Sequence, residues 1–359
     1  MERSILHPLD LGDRHLAAVE APTRLVEGRA PRRQLDHLRA AETPAADRLA
    51  DLAIIVVSNS EPHWLEPCLR TVFEHAGEAT LDVVVVDNGP TGGGRELVEA
   101  SFPDARVLVS ENRGFGHANN RGALTCTARY VLFLNPDTEI RAGTFGELVA
   151  AMDTSPEVGL IGVRQVSPDG VLWPTIRRFP SVMRALGEAL ASERWPVGGT
   201  YFRERELDLS LYDMEVDCDW TAGSFMLARR EALLSAGLFD ERFFLYSEEP
   251  DLCLRIKRAG WAIRHVPAMT ILHHAGKGGV RPRMIAQDAY SRRQYASKHF
   301  SSPYGALYLG AVAARHLVRA VAPAGDPVRE RRRAAARLAL STLAGRTPPP
   351  FGPPPTTAL

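Results

Sequence analysis

Four runs of apolar, largely β-branched residues, LAIIVV (52–57), LDVVVVDN (81–88), ARVLVS (105–110) and RYVLFLNPD (129–137), constrain this chain more than anything else in it. Each is short and almost continuously apolar, so each reads as a strand covered on both faces. Between the first two, Trp64, Leu65, Cys68, Leu69, Val72 and Phe73 fall at helical spacing. RELVEASF (95–102) reads as a second helix, and the stretch after Gly114 through Ala128 as a third. Strand and helix alternate four times, which predicts an α/β fold with a parallel, right-handed sheet between helices. Ligands of such sheets bind beyond the C-terminal ends of the strands. Here those ends read VVSNS, VVDNGP, VSENRGFG and FLNPDT, rich in Asn, Asp, Ser and Gly along one edge.

The remainder is mixed. Helices are predicted at 143–153, 230–236 and 249–259, and a strand at 220–228. Residues 1–50 read as an extension of loop and short helix, 51–283 as the α/β domain and 284–346 as a basic helical region. The Pro-rich TPPPFGPPPTTAL (347–359) reads as a disordered tail. Lys and Arg total 43 against 43 Asp and Glu, so no overall charge would hold a nucleic acid. That zero is a cancellation: residues 1–251 carry 25 basic and 40 acidic side chains, and residues 252–359 carry 18 and 3. YGALYLGAVAARHLVRAV (304–321) and RERRRAAARLALSTLAGR (329–346) set apolar positions beside arginines, as interfacial helices on anionic lipid do, or as a solvated helical face does. The longest late apolar run, 305–314, stops at Arg315 and His316, so no membrane span is expected. The N-terminal residues carry charges where a signal peptide needs apolar ones, and the four scattered cysteines suggest neither a disulfide framework nor a zinc site. A cytoplasmic protein fits, with any membrane contact peripheral.

Several motifs carry chemistry. Asp87 ends a strand where a carboxylate could meet a ribose or base, although a turn or helix cap uses the same residue. NRGFGHANNRG (112–122) offers glycines for close backbone approach, Asn119, Asn120 and the cation Arg113, or else a glycine turn capping a helix. In LNPDT (134–138), Asn135 and Asp137 are two apart and therefore share one face of an extended strand, as oxygen ligands suited to a hard divalent cation; a type I turn around Pro136 is the alternative. Glu248, Glu249 and Asp251 crowd a helix N-terminus behind Phe243, Phe244 and Tyr246, aromatic residues that could raise a carboxyl pKa toward general-base duty. His273 and His274 end an apolar strand, and either could ligate a metal.

In this order the motifs resemble the family 2 glycosyltransferases of the GT-A fold, in the rhamnosyltransferase-like branch of bacterial cell-surface polysaccharide synthesis, over about residues 51–280. The resemblance implies a Rossmann-like, mostly parallel mixed sheet followed by a helical C-terminal extension. It implies that Ser58, Asn59, Asp87, Asn112, Arg113, Gly114, Asn119, Asn120 and Asn135 line the donor nucleotide. Asp137 and His273 would bind Mg²⁺ or Mn²⁺, with LNPDT as the family's version of its metal-binding DxD motif. Glu249, flanked by Glu248 and Asp251, falls at the catalytic base, where the family usually has Asp; Trp220 and Gly223 would face the acceptor. The implied reaction is a single inverting displacement from a dTDP-, UDP- or GDP-linked sugar, dTDP-rhamnose leading, onto a saccharide or polyprenyl-linked acceptor. Under the lipid reading of residues 304–346, and not the solvated one, the helical C-terminus would dock on the inner leaflet of the plasma membrane. The chain departs from the pattern at Asn59, which replaces the aromatic residue of a common Tyr-Asn pair, and at Pro90, where Ser is usual. Two alternatives compete: a nucleotidyltransferase, for which SNSEPHW (58–64) lacks a phosphate-binding glycine and lysine, and an inactive GT-A scaffold that binds a sugar or a partner.

Overall fold

The structure, a computed structural model, describes residues 50–59, 62–90, 92–190, 199–274, 281–322 and 325–351. The extension expected at 1–50 lies, but for residue 50, outside the described residues.

The first half folds as β1 (Leu52–Ser58), α1 (Pro62–Glu74), β2 (Leu81–Asp87), α2 (Gly93–Ser101), β3 (Ala105–Val109), α3 (Phe115–Ala123) and β4 (Tyr130–Leu134). There follow β5 (Thr138–Ala142), α4 (Phe145–Thr154), β6 (Val158–Val166), β7 (Ile176–Arg177), α5 (Val182–Ala189), α6 (Gly199–Phe202), β8 (Val216–Asp217), β9 (Trp220–Thr221) and β10 (Phe225–Arg229). The chain continues through α7 (Arg230–Ala236), α8 (Glu248–Arg258), β11 (Ala262–His273), α9 (Pro282–His299), α10 (Ser302–Val321) and α11 (Asp326–Leu343).

Nine strands form one mixed sheet in the order β3-β2-β1-β4-β10-β6-β11-β5, with β8 beside β11. β3, β2, β1 and β4 run parallel, as the four apolar runs predict, and β11 is parallel to β6. β10 is inserted antiparallel to both β4 and β6. The alternation of side chains divides each central strand between two cores: Leu52, Ile54 and Val56 join one, and Ala53 and Ile55 the other. Every one of these five is fully buried. At about 1.5–3 kcal/mol for each large aliphatic side chain removed from water, such strands hold the sheet edge in a fixed place.

Three expectations are corrected. The strand read at 220–228 is two, β9 and β10, parted by a turn over 222–224; β9 pairs with β7 in a separate two-stranded sheet. The helix read through Ala128 stops at Ala123, where the Thr125 hydroxyl donates to the Gly122 carbonyl at 2.8 Å and turns the chain. Residues 347–351, read as the start of a disordered tail, are packed: Phe351 stacks on Phe244 at 4.7 Å, and the Arg283 guanidinium donates to the Pro350 carbonyl. Residues 352–359 of that tail lie outside the described residues.

Candidate active site

Strand pairing brings the site together. Phe225 at the start of β10 lies opposite Leu134 at the end of β4, so the 222–224 turn sits beside the turn that follows β4. The Asn135 amide donates to the Ser224 carbonyl at 3.0 Å, joining the two turns. Asn135 and Asp137 thus occupy a turn around Pro136, beyond the strand whose alternation was expected to align them. Asp137 is instead aimed by β11, whose His273 pairs with Thr138.

His273 Nε2 lies 3.4 Å from Asp137 Oδ1, and its other ring nitrogen is buried with no hydrogen-bond partner among the described residues. His274 points elsewhere: its Nε2 meets Glu139 at 2.6 Å and its ring packs on Trp64 at 4.3 Å. Of the two histidines, His273 is the one beside Asp137. No group of three or more His, Cys, Asp or Glu side chains able to hold a metal occurs among the described residues. A carboxylate and an imidazole this close nonetheless suit a divalent cation that takes its remaining oxygens from a bound diphosphate and water.

The carboxylate cluster separates into three roles. Tyr246 and Ser247 both take left-handed backbone, φ 70 and φ 69, a strained entry that starts α8 at Glu248. Glu249 then lies against Gly223, where a β-carbon would stand 2.6 Å from its Oε1. Burial raises the Glu249 carboxyl above the ordinary range, opposed by backbone hydrogen bonds from its own amide and Gly223 and by the Arg177 cation nearby. Glu248 is only 1% exposed, has one carboxyl oxygen without a partner, and is driven well above the ordinary range by burial and by Glu249. Burial and the neighbouring Glu249 carboxyl both favour its protonated form. Asp251, expected in the catalytic group, is corrected: burial alone would raise it, yet Arg255 at 2.7 Å, His299 at 2.7 Å and Lys298 at 2.5 Å hold it well below the usual range. It is a buried anchor between α8 and α9.

The donor-side expectations divide in the same manner. Asp87 is 2% exposed and spends both oxygens on backbone amides, Gly89 at 3.1 Å and Arg95 at 2.8 Å, so it acts as a turn and helix cap. Asn119 donates to the Phe115 carbonyl, and Asn120 grips the loop before α8, donating to Phe239 and Glu241 and accepting from the Phe239 amide. Both asparagines are 1% exposed and are corrected to structural roles. Ser58 is buried where a β-carbon on Gly94 would press its hydroxyl at 2.7 Å. Asn112 accepts from the Gly114 amide, and Gly114, at φ 107, lies so close to the Phe244 backbone that only glycine fits. Asn59 is exposed at the edge, and the Arg113 side chain has no hydrogen-bond or ion-pair partner among the described residues.

On the acceptor side, Gly223 does meet the carboxylate, while Trp220 is held by its indole N–H, which donates to the Arg178 carbonyl at 2.9 Å. Sequence reasoning missed Arg177, whose guanidinium carbon lies 5.4 Å over the Trp220 ring, and Trp173, 39% exposed and edge-on to His273. The only signal for Arg177 was an arginine pair after a short apolar stretch, VLWPTIRRF (171–179).

The model of the family described as Glycosyl transferase family 2 matches residues 53–221. An N-acetylglucosaminyl-diphospho-decaprenol L-rhamnosyltransferase of Mycobacterium tuberculosis is 32% identical over 237 residues, 62% of this chain and 76% of that protein. Rhamnosyltransferase WbbL of Escherichia coli is 25% identical over 230 residues, 62% of this chain and 83% of that protein. Among solved structures, a mannosyltransferase of Pyrobaculum calidifontis in complex with GDP-Man and Mn²⁺ is similar over 88% of this chain and 94% of that one, at 16% identity and a TM-score of 0.48.

Proposed function

Since the chain belongs to the family 2 glycosyltransferases and is a glycosyltransferase enzyme, we propose that it moves a sugar, rhamnose from dTDP-rhamnose as the leading donor, onto a saccharide carried on a polyprenyl diphosphate. The acceptor class is suggested by the relative from Mycobacterium tuberculosis, whose name specifies N-acetylglucosaminyl-diphospho-decaprenol. The observation that carries the mechanism is the placement of Glu249: a buried carboxyl with a raised pKa, seated on Gly223, at the sheet edge that also bears Asp137 and His273.

Glu249 accepts the proton of an acceptor hydroxyl as that oxygen bonds to the anomeric carbon of the donor. The bond from that carbon to the nucleoside diphosphate breaks on the opposite face, which inverts the configuration. The raised pKa makes the ionised carboxylate a stronger base. Asp137 and His273 would hold a divalent cation, Mg²⁺ or Mn²⁺, which when bound would supply positive charge to offset that of the departing diphosphate. Asn59, Arg113 and Asn135 remain available to the nucleotide, because their side chains have no hydrogen-bond or ion-pair partner among the described residues. Cys68, Cys126, Cys218 and Cys253 are buried free thiols and take no part.

The substitution Glu249→Gln tests this reading. Transfer is expected to fall by about 10²–10⁴-fold while nucleotide-sugar affinity measured by titration calorimetry changes little. Retention of the full rate would place the base elsewhere, and failure to bind any nucleotide sugar would sink the proposal.

A further inference from the structure

Arg177 lies on β7, with Trp220 of β9 opposite it and Arg205 opposite it on the other side through a single antiparallel bridge. The Arg177 Nε is buried without a hydrogen-bond partner, and no ion pair at contact distance neutralises the guanidinium among the described residues. Its nearest acids, Glu204 and Glu249, act on it through space. A half-buried cation held over an aromatic ring, beside a second arginine, is a ready receptor for an anion with several acceptor oxygens.

Its position says which anion. β9 leads through Ala222 to Gly223, which touches the Glu249 carboxyl, so Arg177 stands one short strand from the proposed base. On a diphosphate-linked acceptor sugar, the reacting hydroxyl and the diphosphate are carried by the same pyranose ring. The group that receives the diphosphate must therefore lie about one sugar ring from the base. The donor's own diphosphate belongs elsewhere, at Asp137 and His273 on the ends of β4 and β11. We propose that Arg177, with Arg205, forms an anion subsite for the diphosphate of the lipid-linked acceptor, seating its sugar so that one hydroxyl meets Glu249. This rests on the acceptor class proposed above, and it adds the residues that would enforce that class.

The test uses the full chain saturated with nucleoside diphosphate and Mg²⁺, so that the donor site is filled. Farnesyl diphosphate, which carries the anion but no sugar, is then titrated calorimetrically against the wild type, Arg177→Ala and Arg177→Lys. The expected result is binding to the wild type, at least tenfold weaker binding to R177A, partial recovery in R177K, and nucleoside diphosphate affinity unchanged across the series. Equal farnesyl diphosphate affinity in wild type and R177A, or none in either, overturns the proposal. A parallel loss of nucleotide affinity also overturns it, by assigning Arg177 to the donor. In turnover, the preference in kcat/KM for a diphosphate-linked acceptor over the same saccharide on a neutral aglycone should fall at least tenfold in R177A; equal loss on both acceptors would leave Arg177 as a positioning residue for Glu249. Absence of transfer to any lipid-linked acceptor would refute the proposed function, while the binding series would still decide the subsite.

Discussion

At the scale of single residues the site depends on a glycine meeting a carboxylate. A β-carbon at position 223 would lie 2.6–3.2 Å from the Glu249 carboxyl group and its Cγ. Because the crowded atoms belong to the far end of a flexible side chain, Gly223→Ala should displace the base and leave the fold nearly as stable. The expected result is a kcat at least tenfold lower with a melting temperature within about 2 °C of wild type; a parallel drop in both would mean that Gly223 serves packing alone. As the proposed base, Glu249 would set the acid limb of the rate profile. Its proton must be off for catalysis, so kcat/KM should fall on acidification with a midpoint above the ordinary 4.5 of a glutamate, and this limb should vanish in E249Q. Glu248 gives an opposite test in stability. Its folded-state pKa is raised, so the folded protein binds a proton that the unfolded chain releases first, and its contribution to stability is lost as pH rises from about 4.3 through the folded value. Glu248→Gln should therefore raise the melting temperature at pH 8 and have little effect near pH 4.

At the scale of elements, the loop before α8 is held from behind by α3. Asn120 makes three hydrogen bonds to it, two to the Phe239 backbone and one to the Glu241 carboxylate, with almost no exposure to solvent. Removing them leaves a buried carbonyl and amide unpaired, so Asn120→Ala should cost about 2–4 kcal/mol of stability, read by chemical denaturation, and should lower kcat through the loosened Glu249 loop. An unchanged denaturation midpoint would show that the loop holds itself. This clamp also shows what sequence could and could not reveal. The parallel strands and the edge where their ends gather were legible, because continuous apolar runs have one stable use in a chain of this composition. Asp137, Glu249 and the histidine pair stand out in the sequence as chemical residue types at the ends of elements, and their roles are those proposed above. The division of labour among similar residues was not legible: whether Asn120 faces a ligand or the 239–241 loop depends on an element 119 positions away, and whether Asp251 is a base or an anchor depends on Lys298 and His299 of α9. Arg177 stayed hidden because its meaning comes from Trp220 across a two-residue strand pairing, too short for any periodic signal.

At the scale of the whole molecule the basic C-terminal region is built into the enzyme. α9 supplies Lys298 and His299 to Asp251, and its Ser291 hydroxyl donates to the Leu245 carbonyl shortly before Glu249. α10 buries Tyr308, Ala311 and Val312 in a third small core and ties Arg315 to Glu188 and Asp288. Deleting everything after Ser301 would therefore strip packing and ion pairs from the domain, and any loss of lipid binding by such a truncation would be uninterpretable. The outer face of α10 offers a cleaner test. Leu307, Leu317, Val318 and Val321 lie on it with exposures of 45–77%, and α5, packed alongside, exposes Met183 and Leu186. α11 adds Arg331, Arg333 and Arg337 on exposed positions. No helix among the described residues is long and apolar enough to cross a membrane. An exposed apolar face, with exposed arginines on the neighbouring helix, instead suits a helix lying in the surface of an anionic bilayer, each arginine near the surface contributing about 1 kcal/mol. We expect the full chain to float with vesicles containing anionic lipid and to be released by high salt. Leu307→Glu with Val321→Glu, both exposed, should reduce flotation at least tenfold without altering the melting curve or transfer to a water-soluble acceptor. Flotation unchanged by this pair would leave the face as solvated surface, and the lipid-linked acceptor would have to reach Glu249 by another approach.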